Sequence, residues 1–141
     1  MKLGTLFIPV AWALAGMAQA ATPANAVLMD FSAASLIEPA AAKEVLAEAV
    51  PAKVWRLYPA SKWAFVSQVE GGITGAGVCV VTARVMLVPL TQTLKAPLFR
   101  PQKIATAFDA VSGATADQCR QTARAKLSEA AQSVVSSLVK T

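Results

Sequence analysis

Alternation of apolar and polar positions dominates the middle of this chain, and a three-and-four spacing dominates its end. Residues 63–70, WAFVSQVE, alternate so that Trp63, Phe65 and Val69 share one side with Ser67 between them, the signature of a strand. Gly71-Gly72 follows and predicts a tight two-residue turn, because primed turns need positive φ. A return strand is then expected over about 73–88, with Gly75 and Gly77 marking a bulge near its start. Cys79, Val81, Ala83, Val85 and Leu87 fall on one face of it; Val78, Val80, Thr82, Arg84, Met86 and Val88 fall on the other. Its first part is apolar on both faces, which calls for cover on both sides, from the first helix or from a partner subunit. Pro89 closes the strand.

The same reading places shorter elements around this hairpin. Residues 27–31 form a short apolar run able to pair as a strand. Pro39 suits the first turn of a helix over 40–49, whose apolar stripe carries Ala42, Val45, Leu46 and Ala49 and which Pro51 stops. Residues 53–58 fit either a strand or a helical turn. Residues 91–101 read as a loop, and 103–108 as another strand with Ile104, Thr106 and Phe108 on one side. Residues 116–139 predict a long amphipathic helix with the stripe Cys119, Ala123, Leu127, Ala130, Val134 and Leu138. Thr115 and Gln118 match a capping box at its start, and Asp117 suits the positive helix end. The expected fold is therefore α+β. A small antiparallel sheet built on a central hairpin packs against a long C-terminal helix, and one shorter N-terminal helix covers an edge or the other face.

The N-terminus reads differently. Lys2 precedes an apolar run over 3–16, and Ala18-Gln19-Ala20 gives a small-x-small site. This is the pattern of a secretory signal peptide over 1–20, cleaved between Ala20 and Ala21. The run is too short, and broken by Pro9, for a stable membrane span. The expected division is a signal peptide at 1–20, a loose Ala/Pro-rich leader at 21–34 and one domain at 35–141, located in the periplasm or secreted. Composition agrees with a packed domain: 55% of residues are hydrophobic and 15% charged, too apolar for a disordered tail. The formal net charge of +5 is scattered rather than clustered, which argues against nucleic acid as a partner.

Two cysteines, Cys79 and Cys119, are expected to pair in an oxidising compartment. Both lie on predicted buried faces, so a bond between them would pin the last helix to the hairpin. Closing a loop of about forty residues would contribute roughly 2–4 kcal/mol.

Candidate chemistry is sparse. The chain has no histidine, so it has no Ser-His-Asp triad and no usual zinc site. Ser137 and Lys140 spell S-x-x-K at the end of the last helix, without the companion motifs that such a nucleophile needs. Catalytic and metal-binding residues are not indicated. Trp55, Tyr58 and Trp63 form an aromatic group expected in the core, and Arg84 in an apolar strand calls for an edge position or a partner such as Glu70 or Asp109.

One motif, Asp109-Ala110-Val111-Ser112-Gly113-Ala114-Thr115, resembles the flavinylation motif of the FMN-binding domain family. The resemblance implies covalent FMN joined through its phosphate to the Thr115 hydroxyl, local positioning roles for Asp109 and Ser112, and a tight backbone at Gly113. It covers seven residues. Asp117 stands where the family often carries Thr or Ser, and a turn plus helix cap accounts for Gly113, Thr115 and Gln118 without any cofactor. Two functions follow as expectations. The leading one is a non-catalytic, disulfide-stabilised exported protein without a cofactor, acting by protein–protein binding as an accessory subunit, inhibitor or immunity-type factor. Its partner is another protein or a second copy of the chain. The alternative is a flavinylated electron carrier.

Overall fold

A computed structural model describes residues 22–140. The predicted signal peptide and its cleavage point lie outside the described residues. The elements run β1 (Val27–Asp30), α1 (Pro39–Ala49), α2 (Ala52–Leu57), β2 (Trp63–Ile73), β3 (Val78–Pro89), β4 (Lys103–Ser112) and α3 (Ala116–Val139). The fold is α+β: one four-stranded sheet in the order β1-β2-β3-β4, with the long helix α3 laid across it. Three strands form an antiparallel meander, and β1 joins β2 in parallel, so the sheet is mixed.

The core lies between sheet and helices. Phe65, Val69, Cys79, Val81, Val85 and Leu87 rise from the sheet to meet Ala123, Leu127, Ala130 and Val134 of α3. The first helix does not cover the opposite face of the sheet. Ala42, Val45 and Leu46 of α1 join this same core, so α1 and α3 lie side by side on one face. Residues 53–58 resolve as helix: Val54 and Trp55 of α2 bury, and Trp55 meets Phe65 edge-on at 5.4 Å. Tyr58 and Trp63 pack in the same geometry at 5.4 Å. The aromatic group is thus part of the core and its margin.

The hairpin turn falls three residues later than the pattern predicts. Gly71 and Gly72 lie inside β2, and the chain reverses over Thr74–Gly77, where the Thr74 hydroxyl accepts a hydrogen bond from the Val78 N–H. Glycine at 71 serves a close approach instead of a turn. A Cβ there would sit 1.9 Å from the Val80 carbonyl oxygen, and φ is +126°. The turn itself uses Gly77 at φ +74°. Strand β4 also runs further than expected, to Ser112, because its register with β3 continues to Val78.

Cys79 and Cys119 form a disulfide with Cα atoms 5.6 Å apart, linking the start of β3 to the first turn of α3. Helix α3 begins at a complete capping box. The Thr115 hydroxyl accepts from the Gln118 N–H at 3.2 Å, and the Gln118 side-chain oxygen accepts from the Thr115 N–H at 2.8 Å. Among the described residues, no helix is long and apolar enough to cross a membrane.

Candidate functional site

Two regions stand out once the core is accounted for: the stretch carrying the seven-residue motif, and the sheet face that no helix covers among the described residues.

The motif is split between elements. Asp109 and Ser112 belong to β4, Gly113 makes the turn at φ +71°, and Thr115 caps α3. Alternation along β4 sends Asp109 and Ser112 to opposite faces. Asp109 points to the helix side, where one carboxylate oxygen accepts the Ala110 N–H at 2.8 Å and the other lies 3.7 Å from Lys126 Nζ. Lys126 also donates to Glu129 at 2.7 Å. That hydrogen bond, with the nearby carboxylates, holds its ammonium pKa above the ordinary lysine value. Thr115 is exposed at the N-terminus of a 24-residue helix, beside Asp117, which is ion-paired with Arg120. The structure therefore places Thr115 and Gly113 together at the helix start, and places Asp109 and Ser112 apart from each other.

The uncovered face carries the alternate residues of each strand. At one end it is closed: Ala64, Val66, Val88 and Leu90 are buried, with Val27, Met29 and Met86 packed against them. Residues 91–101 fold back there, tied by the Leu98 N–H to the Pro89 carbonyl and the Gln102 N–H to the Leu87 carbonyl. Beyond this cover, large apolar side chains face water. Phe31 is 53% exposed, Phe99 61%, Ile104 53% and Phe108 62%. Phe31 continues the β1 alternation onto this face, and Phe99 reaches it from the loop with ring centroids 6.2 Å apart. Ile104 and Phe108 lie on β4 opposite Met86 and Thr82 of β3. Arg84 is exposed between Gln68 and Thr106, and forms no ion pair among the described residues. Asp109 is on the other face, and Glu70 instead accepts from Gln68 Nε2 at 2.5 Å.

The sequence pattern placed Ile104, Thr106 and Phe108 on one side of a strand but carried no sign that this side is the open one. The signal lay in their neighbours. Ala105 and Ala107 are small enough for α3 to pass close above β4, so the large residues are the ones turned away. Phe31 and Phe99 were not legible as surface residues, since one ends a strand and the other sits in a loop.

Among the described residues, no group of three or more His, Cys, Asp or Glu side chains is placed to hold a metal ion. Compared with known proteins, the chain matches no family model and no curated relative.

Proposed function

We propose that this is a non-catalytic exported protein that works by binding another protein through the uncovered face of its sheet. The observation that carries this reading is the set of exposed apolar side chains on one side of the sheet: Ile104 and Phe108 on β4, and Phe31 packed against Phe99 of the 91–101 loop. Apolar side chains held in water by a rigid scaffold favour a partner that removes them from it, and aromatic residues dominate such contacts. The disulfide supports an oxidising compartment, where such bonds persist. The sheet is held from behind by the helices, so the face is preformed and little ordering cost attends binding.

Capture from periplasmic extract or culture medium with the tagged protein tests this. The wild type is expected to retain a discrete partner that the Phe99→Ser/Phe108→Ser variant loses. A partner retained equally by both proteins, or by neither, overturns the reading.

The alternative is an FMN group on Thr115. It is favoured by the exposure of the Thr115 hydroxyl at the N-terminus of a long helix, where an anion is stabilised. Arg120, already paired with Asp117, offsets the nearest negative charge. An intact mass from a host with a flavin transferase separates the two: an FMN increment absent in Thr115→Ala supports the flavoprotein, and the bare mass removes it.

A further inference from the structure

We propose that the exposed edge strand β4 pairs with β4 of a second copy, antiparallel and centred on Thr106, joining two sheets into one. The inference rests on the reading of the uncovered face as an interaction surface, and it names a second copy as an occupant.

The backbone sets the parity. The Gly113 N–H donates to the Gly77 carbonyl, so the odd-numbered residues of β4 direct their backbone groups to β3. The even-numbered residues Ile104, Thr106 and Phe108 direct theirs outward, along an edge that no other strand occupies among the described residues.

Both ends of this edge are closed. At one end the next even position, Gln102, turns its N–H inward to the Leu87 carbonyl at 2.8 Å, and Pro101 before it has no N–H to offer. At the other end the Asp109 carboxylate takes the outward Ala110 N–H at 2.8 Å. What remains for pairing is the stretch 103–109, whose midpoint is Thr106.

An antiparallel pair about that midpoint is self-complementary. Thr106 meets Thr106 of the partner subunit. Ile104 meets the partner's Phe108, an aliphatic–aromatic cross-strand pair made twice by symmetry. Lys103 meets the partner's Asp109, so opposite charges face each other on the helix side, again twice. Shifting the centre to Phe108 sets the partner strand against the Ala110 N–H that Asp109 already occupies. At the centre on Thr106, three outward residues on each strand exchange about six backbone hydrogen bonds, and the exposed Ile104 and Phe108 of both copies come together.

Sedimentation of the full chain as the cell processes it, with its disulfide formed, tests this. The protein is expected to be dimeric. Thr106→Pro removes an outward N–H without touching the ladder to β3, as edge strands tolerate. It is expected to weaken association at least about tenfold while leaving the circular dichroism unchanged, and the melting temperature unchanged at concentrations where both proteins are monomeric. Thr106→Cys is expected to cross-link to its own copy under mild oxidation, and Ser112→Cys is not. A wild type that stays monomeric up to about millimolar concentration, an undiminished Thr106→Pro dimer, or equal cross-linking at 106 and 112 overturns the inference. If Thr106→Pro fails to fold, the contrast between the two cysteine variants decides alone. A monomer that still captures a distinct protein through Phe99 and Phe108 defeats this inference and leaves the binding reading standing.

Discussion

The two faces of the sheet use the same kinds of residue to opposite ends. On the helix side, Phe65, Val81, Val85 and Leu87 are completely buried under α1 and α3. On the other side, Phe31, Ile104 and Phe108 stand at half exposure or more, a few ångströms of backbone away. Hydrophobicity alone does not assign a side chain to the core; the element that covers the face does. One face is where folding free energy is gained, and the other keeps apolar area available for association.

Substitutions that remove the same ring from each face break this comparison most directly. Phe65→Ala, at a site fully closed to solvent, is expected to lower stability by about 3–5 kcal/mol, measurable by urea unfolding. Next in size is the covalent tie. Reducing the Cys79–Cys119 bond, which spans 40 residues, is expected to cost about 2–4 kcal/mol, read as a fall in melting temperature with reductant. Thr115→Ala removes the acceptor for the Gln118 N–H and is expected to cost about 1 kcal/mol, with the loss of helix signal confined to the start of α3 by hydrogen exchange. Phe108→Ser, on the open face, is expected to change stability by no more than about 0.5 kcal/mol, so that any loss of binding is separable from loss of fold. A Phe108→Ser effect as large as that of Phe65→Ala would erase the distinction between the faces.

Alkaline titration sharpens a smaller part of the picture. Lys126 has its pKa raised, first by its hydrogen bond to Glu129 and then by the charges of Glu129 and Asp109, against a lowering by desolvation. A raised lysine contributes stability that is complete below its unfolded pKa and is lost as pH rises through the folded one. Its contribution is therefore constant across neutral pH and disappears only in strong alkali. Replacing it with Met should flatten the unfolding profile there.

Much of the fold was legible because the periodicities are clean. The α3 stripe, the capping box and the disulfide follow from spacing and compartment alone, since Cys119 sits on the stripe that must meet the sheet. The turn was misplaced for a physical reason. A Gly-Gly pair between alternating runs has the composition of a primed turn, yet Gly71 is required by the Val80 carbonyl across the ladder. That is a tertiary contact with no local trace. Residues 53–58 were ambiguous because six residues contain too few periods to separate helix from strand. The position of α1 beside α3 depends on which sheet face it meets, and an amphipathic stripe carries no such address. The candidate face was half legible: β4 alternation grouped Ile104 with Phe108, but only the path of α3 determines that their side is the open one.

The other border of the sheet has a consequence for how far assembly proceeds. Strand β1 has four residues, and Asp30 at its end is occupied inward by the hydroxyls of Ser67 and Ser32 at 2.7 and 2.5 Å. A growing cross-β stack needs each incoming molecule to offer a long unpaired strand on both borders, each with N–H and C=O groups to share. This molecule has a long border at β4 and a shorter one at β1, where four paired residues are followed by the Phe31 and Ala33 N–H bonds to the Ser67 and Val69 carbonyls, so joining two of them through β4 would leave only the shorter borders outside. In a pair joined through β4, growth would stop there, and the exposed, apolar strand would be used up without seeding a fibre.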